Sequence, residues 1–339
     1  MRQGRQDQKT IVSFFVGSRQ ETQSTRFEIF VSKGFCELEV AAVTHTLALA
    51  NQILGQNAFE YRYVSDRPGV VSGSNNMLLR AEPAIVDYGF ADVMIVVGGG
   101  KGHFEPWIKR LRSMQRRLLP VILLSDAATA YIQVTKNPAG KVTTHWHDAL
   151  MLTETGYHPK LTNNLAESSD GIVTAGGRSS TQELIIGLIS PFFDAPQLAE
   201  MGNRTLLQNI RPTNTEQPRG IGHNASFFDG RITAAIQLME NNISDPLSMA
   251  ELTQQLGVST RQLERQFREV FNDTPAKFYK RIRSKQARVM IQETLLPIID
   301  VAVATGFGSC STLAKAVKDE YGQTPAKMRE RRTVDLVNF

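Results

Sequence analysis

Two stretches of the sequence decide the fold: residues 259–277 are STRQLERQFREVFNDTPAK, and residues 309–327 are SCSTLAKAVKDEYGQTPAK. Each begins with serine, has leucine four residues later, and ends in Thr-Pro-Ala-Lys at the same spacing. A short apolar segment that ends in glycine precedes each serine, at 249–257 and 299–306. A helix, a glycine turn and a second helix that starts at a capping serine form a helix-turn-helix unit. The sequence therefore predicts two such units.

The second helix of each predicted unit has one apolar and one polar face. In the first copy, Leu263, Phe267 and Phe271 share the apolar face at the spacing of a helix. Arginines on the opposite face can form bidentate contacts to guanine in the major groove, and short side chains can touch thymine methyl groups. The residues predicted to contact DNA are Arg261, Gln262, Glu264, Arg265 and Arg268 in the first copy and Cys310, Ser311, Ala314, Lys315 and Lys318 in the second.

Residues 278–291 predict a helix that connects the two units. A rigid connection can hold two major-groove helices about 34 Å apart, so that the pair reads two successive turns of double-stranded DNA. The connecting helix carries several cations: Lys280, Arg281, Arg283, Lys285 and Arg288. These side chains either lie near DNA phosphates or form an ordinary solvated face.

Length and composition narrow the class of protein. The 339 residues suffice for two or three domains, and the 41% hydrophobic and 21% charged residues argue against a disordered or coiled-coil chain. Cys36 and Cys310 are far apart, which argues against a disulfide framework and a cysteine-rich zinc site. No apolar run reaches the roughly 18–20 residues of a membrane-spanning helix. We therefore expect a cytoplasmic, nucleoid-associated protein that does not bind membranes.

The net charge of +5 is concentrated in the C-terminal third. Residues 230–339 hold 16 lysines and arginines against 12 acidic residues, whereas the first 229 residues hold 22 against 21. A polyanion would therefore bind the C-terminal third. The excess is modest for a protein that binds DNA or RNA without sequence preference, because such proteins usually rely on more charge.

The last hundred residues resemble the AraC-type DNA-binding domain. The resemblance rests on DVAVATGFGS at 300–309 and YGQTP at 321–325, and it covers both helix-turn-helix units. Asn272 departs from the family pattern, because the first copy often has glycine there; Thr253 and Val317 replace a usual alanine and phenylalanine. The resemblance implies a sequence-specific transcriptional regulator, and we expect an activator that forms a homodimer and contacts RNA polymerase.

The first two hundred residues predict an α/β sheet. ADVMIVV at 91–97 leads into the glycines at 98–100, and PVILL at 120–124 leads into Ser125. Continuous apolar runs separated by helical stretches are typical of buried parallel strands in a doubly wound sheet. Ligands bind beyond the carboxyl ends of such strands. The glycines and Ser125 are therefore placed at the predicted pocket.

Changes in composition along the chain predict four segments. Residues 1–24 are rich in Gln, Arg and Ser and predict a flexible tail. Residues 25–205 form the predicted α/β domain. Prolines, glycines and small polar residues at 206–226 predict a flexible linker. Residues 227–333 show no strand pattern and form the predicted all-α DNA-binding domain.

The α/β segment resembles the PfpI and class I glutamine-amidotransferase-like domain, and its pairing with an AraC-type domain resembles the GlxA-like regulators. The likeness rests on KGFCELE at 33–39, on 91–100, on TTHW at 143–146 and on TAGG at 174–177. It implies a flavodoxin-like fold that dimerises and senses a small metabolite, often an amino acid or a quaternary amine.

The enzymatic relatives of this domain carry a nucleophilic cysteine at the turn after a buried strand, with a glutamate and often a histidine nearby. Glu39 matches the glutamate, but Ser125 stands at the nucleophile position, and the following Asp126 would raise the cost of an alkoxide. Neither cysteine nor histidine occurs between Phe104 and Thr144. We therefore expect no catalysis. The alternative is a DNA-tethered amidase or hydrolase that uses the Ser125 turn.

The predicted effector site consists of Glu39, Gly98, Gly99, Gly100, Ser125, Asp126 and Trp146. Its carboxylates would favour a cationic group, and Trp146 could add a cation–π contact. The alternative interpretation is a set of satisfied polar groups at strand ends. His145 and His147 have no third ligand at a recognisable spacing, so we expect neither a metal nor a cofactor.

Overall fold

The computed structural model describes residues 24–84, 89–99, 105–135, 138–154, 160–207, 209–218 and 228–329. The chain divides into two units, with the boundary in the sequence between Gln217 and Pro218. No helix among these residues is long and apolar enough to cross a membrane. Gly100 and most of the predicted N-terminal tail lie outside the described residues.

The first unit contains a mixed eight-stranded sheet. Its strands are β1 (Thr25–Phe30), β2 (Phe59–Ser65), β3 (Gly69–Ser72), β4 (Leu78–Pro83), β5 (Val93–Val96), β6 (Val121–Leu124), β7 (Ala166–Ser169) and β8 (Ile172–Ala175). Their order is β3-β4-β2-β1-β5-β6-β8-β7, with β3 and β7 antiparallel at the two edges. The central β2-β1-β5-β6-β8 part is parallel and has the flavodoxin-like order. The predicted doubly wound α/β fold is therefore confirmed.

Helices cover both faces of this sheet. They are α1 (Glu37–Leu54), α2 (Glu105–Arg116), α3 (Asp126–Thr135), α4 (Trp146–Glu154), α5 (Thr181–Ile189) and α6 (Ala195–Arg204). Alternate residues of a strand enter opposite hydrophobic cores: Ile95 packs with α1 and α5, whereas Met94 packs with α2 and α3. Because both of their faces are buried, β5 and β6 consist of continuous apolar runs.

Residues 209–217, which we call the strap, belong to the first unit although they lie within the predicted linker 206–226. Leu165 N donates to Thr215 O (2.8 Å), and Ala166 N donates to Thr213 O (3.0 Å). Arg211 binds the buried carboxylate of Glu183 on α5. Composition alone predicts a linker here because the bonds that hold the strap come from residues distant in sequence.

Among its described residues the second unit contains helices and no strand, as predicted. Its helices are α7 (Gly230–Asn241), α8 (Met249–Leu256), α9 (Thr260–Phe271), α10 (Pro275–Glu293), α11 (Ile298–Ala304) and α12 (Cys310–Tyr321), and residues 325–329 are also helical. Phe278 and Tyr279 of α10 enter one hydrophobic core with α9, and Met290 and Ile291 enter a second core with α12. Helix α10 therefore joins the two helix-turn-helix units.

The ion pair of the strap generates a stability prediction. Arg211→Ala leaves the buried Glu183 carboxylate without its cation and should destabilise the first unit by about 1–2 kcal/mol, with allowance for the partly exposed guanidinium. Both tryptophans, Trp107 and Trp146, lie in this unit, so their fluorescence during urea denaturation of the full chain measures the change.

The matched control is Arg204→Ala. It removes an exposed pair with Glu200 on one helix, which contributes roughly 0.3–0.5 kcal/mol. Equal denaturation midpoints for Arg211→Ala and Arg204→Ala would contradict the assignment of the strap to the first unit.

Candidate functional site

Helix α9 begins at a capping box. Ser259 Oγ accepts a hydrogen bond from Gln262 N (3.3 Å), and Gln262 Oε1 accepts one from Ser259 N (3.0 Å). Leu263 and Phe267 are buried and hold one face of the helix in the core. The helix ends at Asn272, whose backbone is left-handed with φ 52°. Asparagine tolerates this conformation, which explains how it can occupy a position where glycine is usual.

The solvent face of α9 carries the first set of predicted DNA contacts. Arg261, Gln262, Glu264, Arg265 and Arg268 are all exposed and line a shallow concave surface. Arg265 Nε lies 3.7 Å from Glu269 Oε1 in an exposed ion pair. Such a pair is weak in water, so Arg265 can exchange its carboxylate partner for a guanine edge at little cost. The Gln262 amide also serves the helix cap, and its contact with DNA stays a prediction.

Helix α12 presents the second set. Ser309 Oγ accepts a hydrogen bond from Thr312 N (3.2 Å) and so caps the helix. Cys310, Ser311, Lys315 and Lys318 are exposed, and Ala314 is half-buried. This face combines small side chains with two compact cations, whereas α9 offers three planar guanidinium groups. We call α9 and α12 the reading helices.

Several cations of α10 contact the two helix-turn-helix units on either side of it. Arg281 forms an ion pair with Asp273 beside α9 (3.0 Å). Arg283 donates from Nε to Thr305 O (3.0 Å) and from Nη2 to Gly306 O (2.6 Å), and it lies over the Phe307 ring. These contacts fix the turn that precedes α12.

Two further cations of α10 contact α12 itself. Arg288 lies over the Tyr321 ring, 4.8 Å from its centroid, and Lys280 Nζ lies 3.6 Å from Asp319 Oδ2. Of the five cations named from the sequence, Lys285 is exposed and remains a candidate for a phosphate contact.

In the first unit, the carboxyl ends of β5, β6 and β8 meet at Glu39 and Ser125. Glu39 on α1 accepts hydrogen bonds from Gly98 N and Arg178 N, both at 2.8 Å. Burial raises the pKa of the Glu39 carboxyl, and the two backbone N–H groups oppose that shift. Glu39 therefore ties two strand ends together, which favours the satisfied polar group over the ligand contact for this residue.

Ser125 follows β6 with a left-handed backbone, φ 38°. Its hydroxyl is completely buried beside Glu39 and, among the described residues, makes no hydrogen bond of good geometry. A Cβ on Gly98 would lie 1.9 Å from Ser125 Oγ, and a Cβ on Gly177 would lie 2.9 Å from Ser125 Cβ. The two glycines thus pack directly over the serine. Ser125 and Glu39 form the floor of the predicted site rather than its surface.

Exposed groups surround this floor. Asp126 accepts a hydrogen bond from Gly99 N (3.1 Å), and its side chain is one-third exposed. Arg178 Nη2 lies 3.9 Å from Asp126 Oδ1, and Arg178 Nη1 lies 3.5 Å from Cys36 Sγ. His145 is near the same charges, and burial lowers its pKa, which favours the neutral ring. Trp146 is half-buried, with its ring against that of His145.

Arg178 was not among the residues predicted from the sequence. Its position directly after β8 and Gly177 was the available signal, because side chains that follow parallel strands meet at one edge of the sheet. Its guanidinium adds a positive charge to a site predicted to be acidic.

The sequence is similar to a known protein family and to known transcriptional regulators. A family model described as a helix-turn-helix domain matches residues 252–331. The HTH-type transcriptional regulator CdhR of Pseudomonas aeruginosa is 25% identical over 314 residues, which cover 90% of this chain and 92% of CdhR. The HTH-type transcriptional regulator GlxA of Rhizobium meliloti is 23% identical and covers 90% of this chain and 96% of its own.

Among solved structures, Toxoplasma gondii DJ-1 superposes with a TM-score of 0.45 at 16% identity, over 55% of this chain and all of DJ-1. The two regulators, in contrast, match both units. The repeat at 259–327 lies within the residues that the helix-turn-helix model and both regulators match. The chain thus contains an AraC-type helix-turn-helix domain, and over about nine-tenths of its length it is similar to the transcriptional regulators CdhR and GlxA.

Proposed function

We propose that the protein is a sequence-specific transcriptional regulator that reads two successive major-groove segments of double-stranded DNA through α9 and α12. The observation that carries the proposal is the pair of capped reading helices on one connecting helix, each with its predicted contact residues turned to solvent. Helix α10 has 19 residues and is therefore about 28 Å long, close to one turn of DNA.

We propose further that the mouth formed by Asp126, Arg178 and Trp146 binds a small effector. A carboxylate and a guanidinium within 4 Å of one another, each partly exposed, can receive a ligand that carries both a cationic group and a carboxylate. This arrangement supports an amino acid, or a quaternary amine that also has a carboxylate, over a simple cation.

The response would pass through a homodimer. A ligand that binds one arrangement of the dimer better than another shifts the population toward it. The shift would change the position of the reading helices on a promoter, and with it promoter occupancy or the recruitment of RNA polymerase. We propose that the outcome is activation, in which the protein contacts DNA and RNA polymerase at once.

The hydrolase alternative has little support from the geometry. A nucleophilic serine needs an adjacent base and access to a substrate carbonyl. Ser125 Oγ instead lies beneath the Gly98 backbone and beside a carboxylate tied to two backbone amides. Ser125→Ala should therefore leave DNA binding intact.

Substitutions on the reading helices test the DNA interface. Arg265→Ala and Lys315→Ala should each weaken binding to the selected operator by about 1–3 kcal/mol and relax the preference at one base position. Lys285→Ala should instead weaken all DNA sequences alike and lower the salt slope by about one. Competition binding at several salt concentrations measures both effects. An equal loss of affinity for operator and random DNA on Arg265→Ala would show that Arg265 does not read bases.

Substitutions at Arg178 test the effector site. Calorimetry of the full chain against L-amino acids and betaines should find at least one ligand, and Arg178→Ala should weaken its binding about tenfold or more, since a charge-assisted bond to the ligand carboxylate is lost. Arg178→Lys should keep part of the affinity, and operator binding without effector should stay within about twofold. If Arg178→Ala bound the ligand as tightly as the wild type, the carboxylate contact would be refuted.

A further inference from the structure

The strap carries its last side chain into the interior of the first unit. Gln217 is 4% exposed, although the segment around it has neither helix nor strand, and Pro218 already belongs to the second unit. Its backbone N–H donates to Asn163 O (2.8 Å). A buried polar side chain at the last position before a domain boundary requires an explanation, because burial of an amide costs free energy unless it is fully hydrogen-bonded.

The Gln217 amide is satisfied at both ends. Oε1 accepts a hydrogen bond from Trp146 N (2.9 Å), which is the first N–H of α4 and would otherwise have no partner in its own helix. Nε2 donates to Thr144 O (2.7 Å) and Asn164 O (2.8 Å), with a longer contact to Thr143 Oγ1 (3.2 Å). The strap thus caps a helix that begins 71 residues earlier in the chain.

Thr144 connects this amide to the effector site. Thr144 Oγ1 donates to Ser125 O (3.0 Å), at the turn whose next residue is Asp126. Thr129 Oγ1 lies 2.6 Å from Thr144 Oγ1 and donates to Asp148 Oδ2 (2.9 Å). Trp146 itself is a predicted effector contact. Two of the groups that the Gln217 side chain binds, Thr144 O and Trp146 N, therefore lie at Trp146 or within two residues of it.

We propose that Gln217 is a positioning residue that couples the effector site to the strap: a shift at the Ser125 turn or at the start of α4 loosens the Gln217 amide and frees the chain that leads to the DNA-binding unit. The proposal rests on the proposed function for its biological role. The coupling itself involves only the first unit, where hydrogen bonds link Ser125 to Thr144 and Thr144 to Gln217.

Trypsin provides a direct measure of strap release. Arg219 is the first cleavable site after Arg204, because Arg211 is followed by proline. A protease needs several extended residues on both sides of the bond, so cleavage after Arg219 tracks the population in which Gln217 is undocked. The experiment uses the full chain without DNA or effector, with fragments followed by mass spectrometry and the fold checked by thermal unfolding.

The variants perturb the two ends of the connection separately. Gln217→Ala should raise the cleavage rate after Arg219 about tenfold, and Thr144→Val, which removes only the hydroxyl, should raise it about threefold or more. Thr144→Ser keeps the hydroxyl and should behave as the wild type. Asn214→Ala is the matched control, since Asn214 is exposed on the same strap.

Two results would overturn the coupling. Cleavage of Thr144→Val at the wild-type rate, with fast cleavage of Gln217→Ala, would show an anchor without a connection to the site. Wild-type rates for Gln217→Ala would show that the amide does not hold the strap. Because neither DNA nor effector is present, these outcomes are independent of whether the protein binds either one.

Discussion

The contacts that α10 makes along its length set the distance between the two reading helices. Its apolar residues enter both hydrophobic cores of the second unit. Arg281 forms an ion pair with Asp273, Arg283 donates to the turn after α11, and Arg288 lies over the Tyr321 ring. An α-helix is stiff over this length, so the two helix-turn-helix units cannot move independently of each other while these contacts persist. The spacing that we propose for the two DNA segments follows from this constraint.

A comparable constraint organises the first unit. The Glu39 carboxylate joins the loop after β5 to the loop after β8, and the Ser125 turn lies between them. Three strand ends are thereby held against one another with glycines in close contact, and two non-glycine residues, Ser125 and Arg178, adopt left-handed backbone angles. The residues that resemble a catalytic centre in sequence thus shape a site, and the exposed charges around them are the groups a ligand can reach.

The parts of the structure that the sequence predicted depend on local signals. Capping serines, glycine turns and apolar residues at helical spacing are short-range features, and they led to both helix-turn-helix units. The apolar runs at 91–97 and 120–124 similarly led to β5 and β6. Strands β3 and β4 were not predicted, because each pairs near a sheet edge and shows exposed Val70 and Leu78 instead of a clean alternation.

The parts that the sequence did not predict depend on long-range partners. Arg211 binds Glu183 28 residues away, Arg178 N binds Glu39 139 residues away, and Gln217 caps α4 from 71 residues away. Prolines and small polar residues at 206–226 predict a flexible linker, but the same residues are also typical of ordered segments. Only the long-range hydrogen bonds and ion pairs of the folded chain distinguish an ordered segment from a flexible linker.

The most direct test of the account is selection of bound sequences from a random double-stranded DNA library by the full chain at physiological salt. We expect an enriched motif with two short segments whose centres lie at one fixed spacing of about one helical turn, 10–10.5 base pairs. A motif with a single segment, or two segments at variable spacing, would contradict the claim that α10 holds the two reading helices rigidly.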